Sequence, residues 1–246
     1  MLLKPLPTID IMIDLYEKPI SSQRFKNYLK MLQGDIKDDL ALPISGFNPM
    51  GKEHVLEKLK ELKKLDAEYL IEEVLADVNR KVAQQVPSRE FTVALNLSDD
   101  LKGGWTNHYT SDYNSKFKIK GLVNKNFCTP IFWTSEIFTT NVIKKRTLEY
   151  VFRTIYWLNN PAPNTLKEHL LQEMYVANEV NFKSKISQED LIKFNEFYSK
   201  HKDTTNYHII FNFFYGDKAS KSLGFPVYGI DQDNSGFDYA SQLKIR

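Results

Sequence analysis

Phe91-Thr92-Val93-Ala94-Leu95-Asn96-Leu97 is where the pattern of the chain changes. Upstream, apolar residues recur every three or four positions. Here Phe91, Val93, Leu95 and Leu97 fall on every second position, the period of a strand with one buried face. A strand set into a largely helical pattern makes the chain α+β, and the neighbouring segments fill in the rest.

Immediately before it, Val55, Leu59, Leu62, Tyr69, Leu70, Val74, Val78 and Val82 recur at helical spacing with no Pro or Gly until Pro87. They predict a long helix near residues 51–85, about 50 Å if straight, with a bend or break near Asp66. A core or buttressing role fits it better than a coiled-coil dimer helix, because the heptad is not kept strictly. Further back, Thr8 is placed to cap a helix over Ile9–Glu17, which Pro19 ends. Ser21 or Ser22 caps a second helix with an apolar stripe of Phe25, Tyr28, Leu29 and Leu32, and Gly34 fits the position just past its end. Pro5 and Pro7 open the chain in extended form, and 38–49 reads as a linker.

After the strand comes Asp99-Asp-Leu-Lys-Gly-Gly-Trp-Thr-Asn-His-Tyr-Thr-Ser-Asp112. Phe117, Ile119 and Val123, alternating with Lys116, Lys118 and Lys120, predict a second strand. The connection 98–115 is then an eighteen-residue loop, a length that usually has a function. Phe127–Thr134 is a third strand that Pro130 confines to an edge or bulge. Helices follow at Asn141–Leu158, after Thr165 (whose spacing to Glu168 is that of a capping box) and after Ser187. Tyr207–Tyr215 is the most strand-like run of all, apolar on both faces, and Phe225–Ile230 is a further short strand. The expectation is a helix-rich α+β protein, its helices packed on a small, mostly antiparallel sheet. It forms a single globular domain over 1–246, with a helical subregion at 1–87 and an α+β region at 88–246.

Composition narrows the classes of function. With 33 basic and 31 acidic residues in 246, net charge is +2, which does not suit a nucleic-acid partner. One cysteine, Cys128, excludes an intrachain disulfide and a Cys-rich zinc site. No run approaches 18 consecutive apolar residues, so no membrane association is expected. The first residues lack the apolar core of a signal peptide, so the expected location is cytoplasmic. Oligomeric state is left open by the pattern.

Two regions carry candidate chemistry. In the 99–113 stretch, His108 with Asp99, Asp100 or Asp112 makes an acid–base pair or metal site. Trp105, Asn107, Tyr109 and Trp133 would line an aromatic-rich pocket for a small polar ligand or peptide. The bland reading of the same residues is a structural loop plugged by Trp105. In the helix after Pro163, Leu166, Leu170, Met174 and Ala177 share one stripe, and His169 and Glu173, four apart, stand at its edge. They form either a cleft-lining catalytic pair or a structural ion pair. Thr165-Leu166-Lys167-Glu168-His169 is partly similar to the inverted zinc-peptidase motif His-x-x-Glu-His, with Thr in place of the first His. That likeness implies a zincin-like hydrolase with a divalent metal such as zinc, short of one ligand. Cys128 has no local base to activate it, and His54, His201 and His208 are isolated in the sequence. No phosphate-binding glycine loop or nucleophile elbow occurs.

Small-ligand binding in the 99–113 pocket is therefore the first expectation. A hydrolase using His169 and Glu173, with His108 and Asp112, is the second. An assembly protein associating through the long helix is the third.

Overall fold

The computed structural model describes residues 2–33, 40–44, 46–82, 89–101, 106–181, 186–231 and 233–243. Gly34, Gly103, Gly104, Trp105 and the 83–88 end of the expected long helix lie outside them. The chain divides into two compact units, 1–154 and 155–246.

The first unit opens with a strand, β1 (Leu2–Leu6), then α1 (Ile9–Glu17) and α2 (Ser22–Gln33). The expected long helix is two, α3 (Glu53–Lys64) and α4 (Ala67–Val82), broken where Asp66 adopts φ 50°. The break lets both apolar stripes face the core, with Val55, Leu59 and Leu62 of α3 and Ile71, Leu75 and Val78 of α4 buried. Next come β2 (Glu90–Ala94) and β3 (Asn96–Ser98), α5 (His108–Phe117), α6 (Lys120–Asn124), β4 (Phe127–Cys128), β5 (Ile131–Trp133) and α7 (Thr140–Asn159), whose last residues enter the second unit.

The strand pairings correct the antiparallel expectation: every one is parallel. One sheet has the order β1-β2-β4, with Leu3 opposite Phe91 and Val93 opposite Cys128. The other pairs β3 with β5, Asn96 opposite Ile131 and Ser98 opposite Trp133. Parallel neighbours require crossover connections, and here helices supply them: α1–α4 between β1 and β2, and α5 and α6 within both the β2-to-β4 and the β3-to-β5 connections. The two ladders are split where Leu95 and Thr129-Pro130 intervene. Pro130 has no N–H to give, although its carbonyl still accepts from Asn96 N at 3.0 Å. Pro5 is tolerated because β1 is an edge strand.

Further expectations are corrected. The run 117–123 is the end of α5 and the start of α6, not a lysine-faced strand, and the long loop accordingly ends at His108. Thr8 does not cap α1. The Glu68 carboxylate does so from α4, accepting from Ile9 N at 2.9 Å, while Thr8 Oγ1 donates to Leu95 O at 2.7 Å. Ser21 caps α2 as expected, its Oγ accepting from Arg24 N.

The second unit contains α8 (Leu166–Glu179), α9 (Gln188–His201), α10 (Tyr207–Ser222) and α11 (Ser235–Gln242). The capping box is present: Thr165 Oγ1 accepts from Glu168 N at 3.3 Å, and Glu168 Oε2 accepts from Thr165 N at 2.9 Å. Thr165→Ala is expected to cost about 1 kcal/mol, read as a lower urea midpoint; an unchanged midpoint would show that the cap contributes nothing.

Tyr207–Tyr215, the most strand-like run, is helical. Asn206 starts the helix by accepting from His208 N and Ile209 N. The run is apolar on all sides because the helix is buried on all sides, with Phe211, Phe213 and Phe214 fully enclosed. Gly216, at φ 81°, kinks α10. The expected strand at 225–230 is absent; the Tyr228 and Gly229 amides instead donate to the Asp217 carboxylate. Among the described residues, no helix is long and apolar enough to cross a membrane.

Candidate site at the carboxyl ends of the parallel strands

Asp99 and Asp100 directly follow β3, and Thr134 and Ser135 directly follow β5. The Thr134 amide donates to Ser98 O at 3.0 Å, so the two strand ends are held together. Carboxyl ends of parallel strands are where α/β sheets present ligand-binding groups, because backbone and loop side chains converge there.

Each carboxylate holds one histidine. Asp99 Oδ1 is 2.9 Å from His54 Nε2, and Asp100 Oδ2 is 2.7 Å from His108 Nδ1. Asp99 also accepts from Thr134 Oγ1 at 2.8 Å and Asn48 Nδ2 at 3.2 Å. Asp100 accepts from Ser135 N at 3.0 Å and Ser135 Oγ at 2.7 Å. Burial pushes both carboxyls up, but these donors more than offset it and hold both below the usual carboxylate range. An ionised carboxylate only accepts, so the bonded histidine nitrogen carries the proton in each pair. The other ring nitrogen of a neutral His54 or His108 is then a lone-pair acceptor. The His108 ring is also fixed by Trp133, at a centroid distance of 4.4 Å.

Beside these strand ends lies a cavity of about 250 Å³. Its walls include Asn96 and Ser98 from β3, Thr106, Ser111 and Ser115 around α5, and Thr129 before β5. Among the described residues, no Lys, Arg, Asp, Glu or His lines it. Cys128 and Tyr150 do, and burial keeps both neutral, with the thiol pushed up to about 12 and the phenol raised further. Three polar atoms on its wall residues are buried without a hydrogen-bond partner: Asn96 Oδ1, Ser98 Oγ and Thr129 Oγ1. Gly46 closes one side. A Cβ there would stand 2.6 Å from Ser98 Oγ and 2.8 Å from Asn96 Nδ2, so a larger residue would force these side chains to shift. A cavity of about 340 Å³ in the second unit is larger, but exposed charged side chains such as Lys193 line it and none of the unpartnered buried atoms does.

Of the residues singled out in the sequence, His108 and Trp133 come together with Asp100. Asp112 does not pair with His108; it is buried one turn on, with Lys116 Nζ at 2.5 Å. Asn107 caps α5, its Oδ1 accepting from Thr110 N, and Tyr109 meets the His108 ring edge-on. Asn107, Tyr109 and Trp133 are not walls of the cavity, which is rich in hydroxyls rather than aromatic rings. His169 and Glu173 are both buried in α8 of the second unit. His169 Nδ1 lies 2.8 Å from Thr165 O, and Glu173 accepts from Gln172 Nε2. Burial holds His169 below the usual imidazole range, which favours its neutral form. Glu136 accepts from Arg146 at 2.6 Å and ties the end of β5 to α7.

His54 escaped the sequence reading, because its partner is 45 residues away and nothing local marks it. Asn96, Ser98 and Thr129 looked like ordinary strand residues. The one available signal was that Asn96 and Ser98 place two polar groups on the same face at the end of an otherwise apolar strand.

Among the described residues, no group of three or more His, Cys, Asp or Glu side chains is placed to hold an ion. Fold and site together define a helix-rich α+β protein with paired His–carboxylate groups where parallel strands end. No protein-family model, curated protein or solved structure matches the chain.

Proposed function

We propose that the first unit binds a small, uncharged polar ligand in the cavity beside β3 and β5. One observation carries the reading: three residues that line a single cavity, Asn96, Ser98 and Thr129, each keep a buried polar atom without a hydrogen-bond partner. An orphaned buried polar group costs about 1–3 kcal/mol, and a fold retains such a cost most readily where a ligand supplies the missing partner. The cavity's size suits a small molecule better than a peptide. A charged ligand would leave water without a countercharge among the described wall residues, which is strongly unfavourable.

Glycerol, erythritol and glucose, compared with acetate and inorganic phosphate, test the reading by thermal unfolding. A neutral hydroxylated probe is expected to raise the unfolding temperature, since a ligand at 100 times its Kd adds about 2.7 kcal/mol. Thr129→Val should abolish that response while making the unliganded protein more stable by about 1 kcal/mol, because it removes an unsatisfied hydroxyl. A destabilised Thr129→Val, together with no response of the wild type to any probe, would mean that water alone fills the cavity.

A further inference from the structure

We propose that the second unit holds a separate groove for a short free peptide of about four residues, its amino terminus lying toward Asp231 and its carboxyl terminus toward Lys200. The groove is independent of the ligand site in the first unit.

The sorting of charge along one cavity carries it. The cavity, of about 340 Å³, lies between α9 and the 228–231 segment. On α9, Asp190, Phe194, Phe197 and His201 fall within about 60° of one another at 100° per residue, and all four line it. Lys193, Glu196 and Lys200 follow along one exposed edge of that stripe. The facing segment runs back along the helix. Tyr228 meets the Phe197 ring edge-on, with centroids 6.4 Å apart, at the middle. Asp231 belongs to the end where α9 begins: Glu189 first, then Asp190 and Asp231, hold the Lys193 ammonium above its usual range. That end therefore carries two carboxylates, while the lysine beside them is matched by Glu189 at 2.9 Å. The other end carries His201 and Lys200, and no ion pair to Lys200 occurs among the described residues. Burial first and Lys200 second hold His201 below the usual imidazole range, so it offers a neutral N–H.

Acids in the first turn of α9 and bases in its last also suit the helix dipole. The dipole does not account for Asp231 on the facing wall, nor for the half-buried Phe197 and Tyr228 rings between the charged ends. Asp190 and Lys200 are ten residues apart, about 15 Å along the axis. An extended chain of four residues spans about 13–14 Å. Its ammonium reaches the acidic end while its carboxylate reaches Lys200 and His201. A single amino acid is too short to meet both, and apolar side chains in the middle of a peptide would lie on the two rings.

Titration calorimetry of the full chain with the tetrapeptide Gly-Phe-Leu-Gly tests the proposal. Saturable binding is expected, weakened by added NaCl. N-acetylation or C-amidation should each raise Kd about two- to fivefold, the scale of one exposed ion pair. Asp231→Asn should weaken the free peptide by a similar factor yet leave the N-acetylated peptide unchanged. Lys200→Gln should do the same with respect to the C-amidated peptide, since each variant and its matching block remove one interaction. Both side chains are exposed, so neither variant threatens the fold. No saturation by about 1 mM, or affinities indifferent to both blocks and both variants, overturns the proposal. Phenethylamine binding as tightly as the tetrapeptide also overturns it, because the acidic end and the rings would then act alone.

Discussion

Asp99→Ala is expected to destabilise the first unit by about 3 kcal/mol, a large part of the stability of an ordinary domain. Asp99 is 2% exposed and, besides the nearby Leu101 amide, holds three side-chain donors from three parts of the chain: His54 on α3, Asn48 before it and Thr134 after β5. Deleting the carboxylate strands all three. The figure is not larger because His54 is 28% exposed and keeps some contact with water. The urea midpoint at neutral pH reads the loss, and a midpoint within error of wild type would show that the cluster does not hold the strand ends together. The pH dependence has a definite sign. Asp99 and Asp100 are held below their ordinary value in the folded state. Their contribution is therefore fully present above the unfolded aspartate pKa, about 3.9, and is lost as pH falls through the depressed folded values. The wild type should lose stability below about pH 4 more steeply than Asp99→Asn, whose side chain does not titrate.

Gly236→Ala is the second large effect, expected to cost the second unit about 3 kcal/mol or more, the upper range for overpacking. Gly236 lies in the first turn of α11, pressed against α10. An added Cβ would collide with Phe213 O and stand 2.7 Å from Phe214 Cα and 3.0 Å from Phe213 C. All three are backbone atoms, so no side-chain rotation relieves the clash. Phe213 and Phe214 are themselves fully buried, so α10 has little room to retreat. Gly121→Ala gives the opposite sign: nothing lies within 4 Å of its added Cβ, and the substitution should be neutral or stabilising by up to about 1 kcal/mol. Paired thermal melts of the two variants check the contrast. Equal melting temperatures would mean that the α10–α11 contact is looser than its geometry indicates.

The candidate site was legible in the sequence only in outline. The stretch 99–112 stood out because charged and aromatic residues crowd around two glycines, and His108 and Asp100 from that stretch do pair. His54 could not be found that way, since a histidine on a mixed-charge helix looks like any solvated residue. The cavity walls were hidden for a different reason. Asn96, Ser98 and Thr129 matter because they lack partners, and lacking a partner is a property of the packed surroundings rather than of residue type.

What the sequence determined by itself was local. Amphipathic spacing is enough to specify α1, α2, α8 and α9, because a helix's buried stripe recurs within a few residues; Thr165 with Glu168 and Ser187 at the start of α9 add local caps, whereas the cap of α1 comes from distant Glu68. Period-two alternation likewise specified the strand at Phe91–Leu97. The tertiary structure decided everything that depends on distant partners. Strand direction was set by the helical crossovers between strands. Leu2–Leu6 became a strand despite Pro5 because Glu90–Ala94 offers it an edge. Tyr207–Tyr215 became a helix because a run that is apolar on every face carries no period, and Asn206 and the surrounding aromatic packing chose between the two forms. The region from Asp99 to Asp112 gained its chemistry in the same way, through His54 from upstream and Thr134 and Ser135 from downstream, all gathered where two parallel strands end.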